Sequence, residues 1–240
     1  MSGHSKWATT HRQKAIVDAK RGAVFTKLAN IITMAARERG GDPSANASLR
    51  LAIDKARVAN MPKDNIDRAV KRGTGELGGA QVEELYYEGI GPAGVQFIVK
   101  CLTDNKNRSA SSVRHLFTKI GGSFGAVMWN FSQLGVIRIG QAELKDKHIN
   151  LDGLELELID QGINDFQKEN EGLTVYTEAK DLHKIREVLE AKDLKIISAD
   201  LEYVAKEKTA LSPEDQEKID KFMEEMEDNE DINDYYTNLA

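Results

Sequence analysis

Apolar residues change their spacing along this chain, and each change marks a new kind of segment. Val24, Leu28, Ile31, Ile32 and Ala35 recur at the three- and four-residue steps of one helical face. They predict an amphipathic helix stopped at Gly40-Gly41. Leu49, Ala52, Ile53 and Ala56 predict a second helix, broken at Met61-Pro62. Pro62 suits the first position of a short third helix with Ile66, Ala69 and Val70 inward and Gly73 as its stop. After the glycine-rich stretch GTGELGG (73–79) the period shortens. Leu85–Ile90 and Val95–Thr103 read as strands of a hairpin around GIGPAG, and Asn107–Ile120 as a helix capped by Asn107 or Ser109. Val127–Phe131 is a further strand candidate. Strand Val136–Ile139, helix Leu151–Gln161, strands Asn164–Lys168 and Leu173–Thr177, helix Asp181–Lys192 and strand Lys195–Tyr203 then give the order β-α-β-β-α-β, the ferredoxin-like pattern. Ser212-Pro213 opens a last helix, and Ile232–Leu239 reads as a final strand.

These periods predict a multidomain α and α+β protein. A basic arm and three-helix bundle occupy 1–75, an α+β domain occupies 80–134 plus 207–240, and a ferredoxin-like βαββαβ domain is inserted at 135–206. The insertion follows if the last strand pairs with the first α/β part.

Charge sharpens this division. The 240 residues carry a formal net charge of −6, yet residues 1–75 hold 15 Lys/Arg against 6 Asp/Glu, and the remainder 18 against 33. A basic head on an acidic body points to nucleic acid for the head. Its bases are Lys6, Arg12, Lys14, Lys20 and Arg21 in the arm, Lys27 on the first helix, and Lys63, Arg68, Lys71 and Arg72 on the third. Trp7 lies among them with His4 and His11, placed either to stack on an unpaired base or to dock the arm on the bundle. Lys106, Arg108 and Arg114 surround a helix start and form a secondary candidate for an anion contact, against the plainer reading of a capped turn. The stretch 214–234 holds 11 acids and 2 bases, a segment suited to a protein partner or to competition for the head.

Other chemistry finds little support. Gly89-Ile90-Gly91-Pro92-Ala93-Gly94 matches G-x-G-x-x-G, but the β-branched VQFIVKCL that follows is strand-like, whereas a dinucleotide site needs a helix there. The single cysteine, Cys101, lies in an apolar strand and reads as packing; a nucleophile would need His115, the nearest histidine in sequence. His4, His11, His115, His148 and His183 show no metal-ligand spacing, so neither metal nor cofactor is expected. No apolar run approaches a membrane span, and the N-terminus has no secretory pattern, so a cytoplasmic location with no membrane partner is expected. Nothing here sets the oligomeric state.

Longer motifs carry a resemblance. GHSKWA (3–8), DAKRG (18–22), FTKL (25–28), LRLAIDKA (49–56), ANMPKDNI (59–66), KRGTGE (71–76), YEGIGPAGV (87–95), CLTDNKNR (101–108) and the closing DINDYYTNLA together resemble the YebC family, which includes the mitochondrial translational activator of cytochrome c oxidase. The resemblance implies a helical domain followed by an α+β domain with a ferredoxin-like insertion. It also implies a non-enzymatic regulator, assigned in some members to DNA-binding transcription control and in others to translation on ribosomes. The short third helix offers few base readers besides Asn65, which favours RNA or the ribosome over sequence-specific duplex readout.

Overall fold

The computed structural model describes residues 21–240. They fall into two units: residues up to Met128 together with Lys208–Ala240, and Trp129–Glu207.

Unit one begins with α1 (Arg21–Arg39), α2 (Ala47–Val58) and α3 (Lys63–Gly73). Ile32, Ala35, Ala36, Leu49, Ala52, Ile53, Ala56, Met61, Ile66 and Ala69 bury one shared core. Asn46 organises the first corner. Its side-chain oxygen accepts from Leu49 N at 3.0 Å, capping α2, while its amide donates to the carbonyls of Ala35 and Gly40 at 2.8 and 2.9 Å. Two details differ from the sequence expectation. Pro62 is the cap residue just before α3, extended at ψ 141°, not its first helical residue. Gly73 is the last residue of α3, and its role is close approach: a Cβ there would lie 2.4 Å from the Thr33 carbonyl and 2.7 Å from Ala36 Cβ on α1.

Four antiparallel strands follow: β1 (Glu83–Ile90), β2 (Gln96–Thr103), β3 (Ser123–Phe124) and β8 (Ile232–Thr237), in the order β3-β1-β2-β8. Helices α4 (Lys106–Lys119) and α8 (Pro213–Asp228) pack on this sheet. Phe97, Phe117 and Phe222 meet edge to face, with ring centroids 5.1–5.8 Å apart. Gly89 makes room for them, because a Cβ there would lie 2.4 Å from the Phe117 ring. The cap of α4 is Asn105, whose side chain accepts from Arg108 N at 3.0 Å, rather than Asn107 or Ser109. Ser109 is instead fully buried.

Unit two contains β4 (Phe131–Gly140), α5 (Gln141–Asp146), α6 (Leu151–Asp160), β5 (Asp165–Glu169), β6 (Gly172–Glu178), α7 (Leu182–Ala191) and β7 (Ile196–Ala205). Its sheet is antiparallel in the order β5-β6-β4-β7. Ile137, Ile139, Leu154, Leu158, Leu173, Val175, Ile185 and Leu189 form its core. Arg138 and Glu202, both buried on neighbouring strands, form a bidentate pair at 2.6 and 3.0 Å. The expected strand Val127–Phe131 is not formed; Met128–Asn130 is a 3₁₀ turn, and β4 starts at Phe131. A boundary at 134/135 therefore falls inside β4. The polar six-residue α5 has too few apolar positions to show a period.

The Gly73 packing gives a direct test. Gly73→Ala forces α3 away from α1 and is expected to cost about 1–3 kcal/mol by overpacking, read from denaturant unfolding. Gly75→Ala, where nothing lies within 4 Å of the added Cβ but φ is +83°, tests backbone strain alone.

Candidate nucleic-acid interface

The sequence-assigned bases separate into two groups once side chains are placed. Lys63, Arg68 and Lys71 on α3 are exposed, and among the described residues no carboxylate forms an ion pair with them. They stand outward because Ile66 and Ala69 hold the opposite side of the helix in the core. Asp64 and Asp67 share the outward side one turn before Arg68 and Lys71, so this surface carries mixed charge with a basic excess. On α2, Arg50 and Lys55 are exposed as well, and sequence reasoning did not single them out. Their signal was available: both lie off the Leu49, Ala52, Ile53, Ala56 face.

Lys27 and Arg72 are differently engaged. Arg72 donates to the Ala80 carbonyl at 3.0 Å and to Asp104 at 2.9 Å, and this bond holds the Asp104 carboxyl below the usual range. Lys27 is half-buried and donates to the carbonyl of Glu227 at the end of α8. Cations belong at helix C-termini, where unpaired carbonyls collect. Burial nevertheless pushes the Lys27 ammonium down to about 8, with the carboxylates of Glu227, Asp228 and Asp234 pulling the other way. Lys27 flanks the Val24, Leu28, Ile31 stripe, so the face that carries α1 into the core carries Lys27 with it. Asn30, one turn on, donates to the Leu102 carbonyl at 2.8 Å, and Arg37 donates to Val82 at 2.6 Å. These donors fasten α1 and α3 to the sheet of unit one.

The secondary anion candidates are also occupied. Lys106 pairs with Glu83 at 2.8 Å, and Arg114 lies over the Phe124 ring at 5.0 Å. Arg108 grips Asp231 through two bonds of 2.7 and 3.1 Å, which raises its pKa further. The turn before α4 is thus knitted to its neighbours. His4, Lys6, Trp7, His11, Arg12, Lys14 and Lys20, and the side chain of Arg21, lie outside the described residues.

Among the described residues, Cys101 and His115 are not brought together in the way a nucleophile and its base would be. Cys101 is fully buried and its thiol is pushed up to about 12 by desolvation, while His115 on α4 is exposed. A thiolate nucleophile needs the reverse, a lowered pKa and an adjacent base. GIGPAG forms the antiparallel β1–β2 turn, with Ala93 and Gly94 at φ 54° and 77°. No helix follows those glycines to receive a pyrophosphate. Among the described residues there is no cluster of metal-ligating side chains and no helix long and apolar enough to cross a membrane.

The buried lysine yields a pH prediction. Between about 8 and the ordinary lysine value of 10.5 the unfolded chain keeps a proton that the folded chain has released, so stability rises with pH across that window. Lys27→Met removes this contribution. The stability difference between wild type and K27M, from urea midpoints at pH 7.5 and 9.5, is expected to shift toward wild type at the higher pH. An unchanged difference means Lys27 is solvated.

Comparison with known proteins places this arrangement. The family model described as the TACO1/YebC protein N-terminal domain matches residues 5–76, and that described as the TACO1/YebC second and third domain matches residues 82–239. A probable transcriptional regulatory protein of Thermoanaerobacter pseudethanolicus is 46% identical over 100% of this chain and 97% of its own length. One from Bacillus licheniformis is 44% identical over the whole of both chains. The crystal structure of a conserved hypothetical protein from Aquifex aeolicus superposes with a TM-score of 0.78 at 37% identity, covering 94% of this chain and 92% of that one. Matched by family models along nearly all of its length, this chain belongs to the TACO1/YebC family.

Proposed function

We propose that this protein is a non-enzymatic regulator of gene expression that binds nucleic acid through its basic N-terminal part and acts in translation, on RNA or the ribosome, in the cytoplasm. One observation carries the reading: Arg50, Lys55, Lys63, Arg68 and Lys71 are exposed within residues 1–75, where 15 bases stand against 6 acids, and Lys63, Arg68 and Lys71 have no carboxylate partner among the described residues. Phosphate attraction needs such uncompensated cations, and the acidic remainder repels the same polyanion. In this reading the basic arm contributes further contacts to the same nucleic acid through His4, Lys6, Trp7, His11, Arg12, Lys14, Lys20 and Arg21. In this reading α1–α3 form the binding bundle. The β5-β6-β4-β7 unit is a ferredoxin-like insertion, and the acidic α/β parts face a protein partner.

The alternative is DNA-binding transcription control. It is favoured by the names of the relatives, which are called probable transcriptional regulatory proteins. Helix α3 offers weak support for it, since Asn65 is half-buried and the exposed positions around Arg68 and Lys71 include Asp64 and Asp67. Major-groove readout needs several side chains that reach base edges.

Sedimentation of the tagged protein through a density gradient, after RNase or DNase treatment of the lysate, separates the two. Comigration with ribosomes that only RNase abolishes supports translation; a shift produced by DNase alone supports transcription. For the arm, replacing Lys6, Arg12, Lys14, Lys20 and Arg21 with Gln is expected to lower the slope of log K against log salt by about 3.5–4.5, at 0.7–0.9 per phosphate contact. An unchanged slope makes the arm a packing element.

A further inference from the structure

Trp129 is 63% exposed. Tryptophan is on average well buried, so a ring with most of its surface exposed at a fixed place stands out. The backbone around it is held on both sides. The carboxylate of Glu88 accepts from the amides of Val127 and Met128 at 2.6 and 2.7 Å. Asn130, only 2% exposed, donates to the Glu207 carbonyl at 3.0 Å and accepts from the Glu207 amide at 2.9 Å. The Asn130 carbonyl accepts from the Lys206 amide at 2.7 Å. The Lys206 ammonium in turn donates to the Trp129 carbonyl at 2.9 Å. Lys206 is exposed, and among the described residues it forms no ion pair with a carboxylate.

We infer that Trp129 and Lys206 form a stacking site for an unpaired nucleobase and its phosphate, on unit two and separate from the helical surface. The inference rests on the nucleic-acid reading above and adds to it a second contact with a stated preference for single strands. A flat exposed ring matches the face of any base, and stacking on it is tolerant of sequence. The adjacent uncompensated ammonium suits a phosphate and disfavours an apolar partner, whose docking would bury the charge unpaired. The pinned turn lowers the ordering cost of binding, since the ring is already presented from a fixed backbone.

The test uses the full-length protein and two fluorescent probes of equal length, single-stranded oligouridine and a mixed-sequence RNA duplex, followed by anisotropy. Trp129→Ala is expected to weaken oligouridine binding about 5- to 160-fold and to leave duplex binding nearly unchanged. Trp129→Phe, which keeps a ring, retains most of the affinity. Lys206→Gln lowers the oligouridine salt slope by about 0.7. An unchanged melting temperature in each variant excludes misfolding. Wild-type affinity for oligouridine in W129A overturns the inference, as does an equal loss for oligouridine and duplex. It is overturned likewise if W129A keeps full nucleic-acid affinity while losing a protein partner. If wild type binds neither probe, the nucleic-acid reading itself fails, a result distinct from a binding protein indifferent to Trp129.

Discussion

The pairing of β8 with β2 is the interaction on which unit one depends. Phe97, Ile98, Val99, Cys101 and Leu102 of β2 are all buried, so each backbone amide and carbonyl of this strand needs a partner within the protein. β1 serves one edge and β8 the other. The β2–β8 register shifts between Lys100 and Cys101, and other elements meet at that irregularity. The amide of Leu102 donates to the Asp231 carbonyl, and the Leu102 carbonyl accepts from Asn30 of α1. The Asp231 carboxylate is held by Arg108 of α4. One interruption in a ladder thus supplies attachment points for two helices, α1 and α4. The basic surface of α2 and α3 is positioned through α1 and therefore through this junction.

Counting charge along the chain overstates what the head presents to solvent. Lys27 donates to a carbonyl at the end of α8, and Arg37 and Arg72 donate to carbonyls or a carboxylate beside the sheet. Guanidinium and ammonium groups are well suited to such work, because they carry several donors at the end of a long apolar stem. The described part of the head therefore spends some of its cations on holding itself to the sheet. The rest stand exposed on α2 and α3, and it is these that the proposed reading gives to a polyanion. Lys27 marks the boundary between the two uses, with its stem in the apolar stripe and its ammonium at the end of α8.

Periodicity made the major elements legible, since a helical stripe such as Leu49, Ala52, Ile53 and Ala56 records burial directly. The largely apolar β2 was legible for the same reason. What escaped was set by contacts distant in sequence. Nothing near Arg72 announces Asp104, and nothing near Lys27 announces Glu227, so both read as surface bases. The cap of α4 was misplaced by two or four residues because Asn105, Asn107 and Ser109 are all competent caps, and the choice depends on where β2 ends. The turn at Met128–Asn130 reads as strand because its apolar flanks, Val127 and Phe131, are buried for tertiary reasons. Val127, Trp129 and Phe131 are apolar at every second position, which reads as one face of a strand, whereas the turn exposes Trp129 between two buried neighbours.

The Asn130–Glu207 bonds have a consequence for how the chain reaches this structure. β2 and β8 are far apart in sequence, and closing so long a loop is entropically costly. Much of that separation is Trp129–Glu207, whose two ends lie side by side once β4 pairs with β7 and Asn130 binds Glu207. After unit two has formed, the chain between β2 and β8 behaves as a much shorter tether, since the whole excursion is spanned by one residue-to-residue step. The contact order that governs the last strand's docking is then far below the one its sequence position implies. Assembly in that order, with unit two first and β8 last, avoids a prolonged search by an unpaired strand with an open edge.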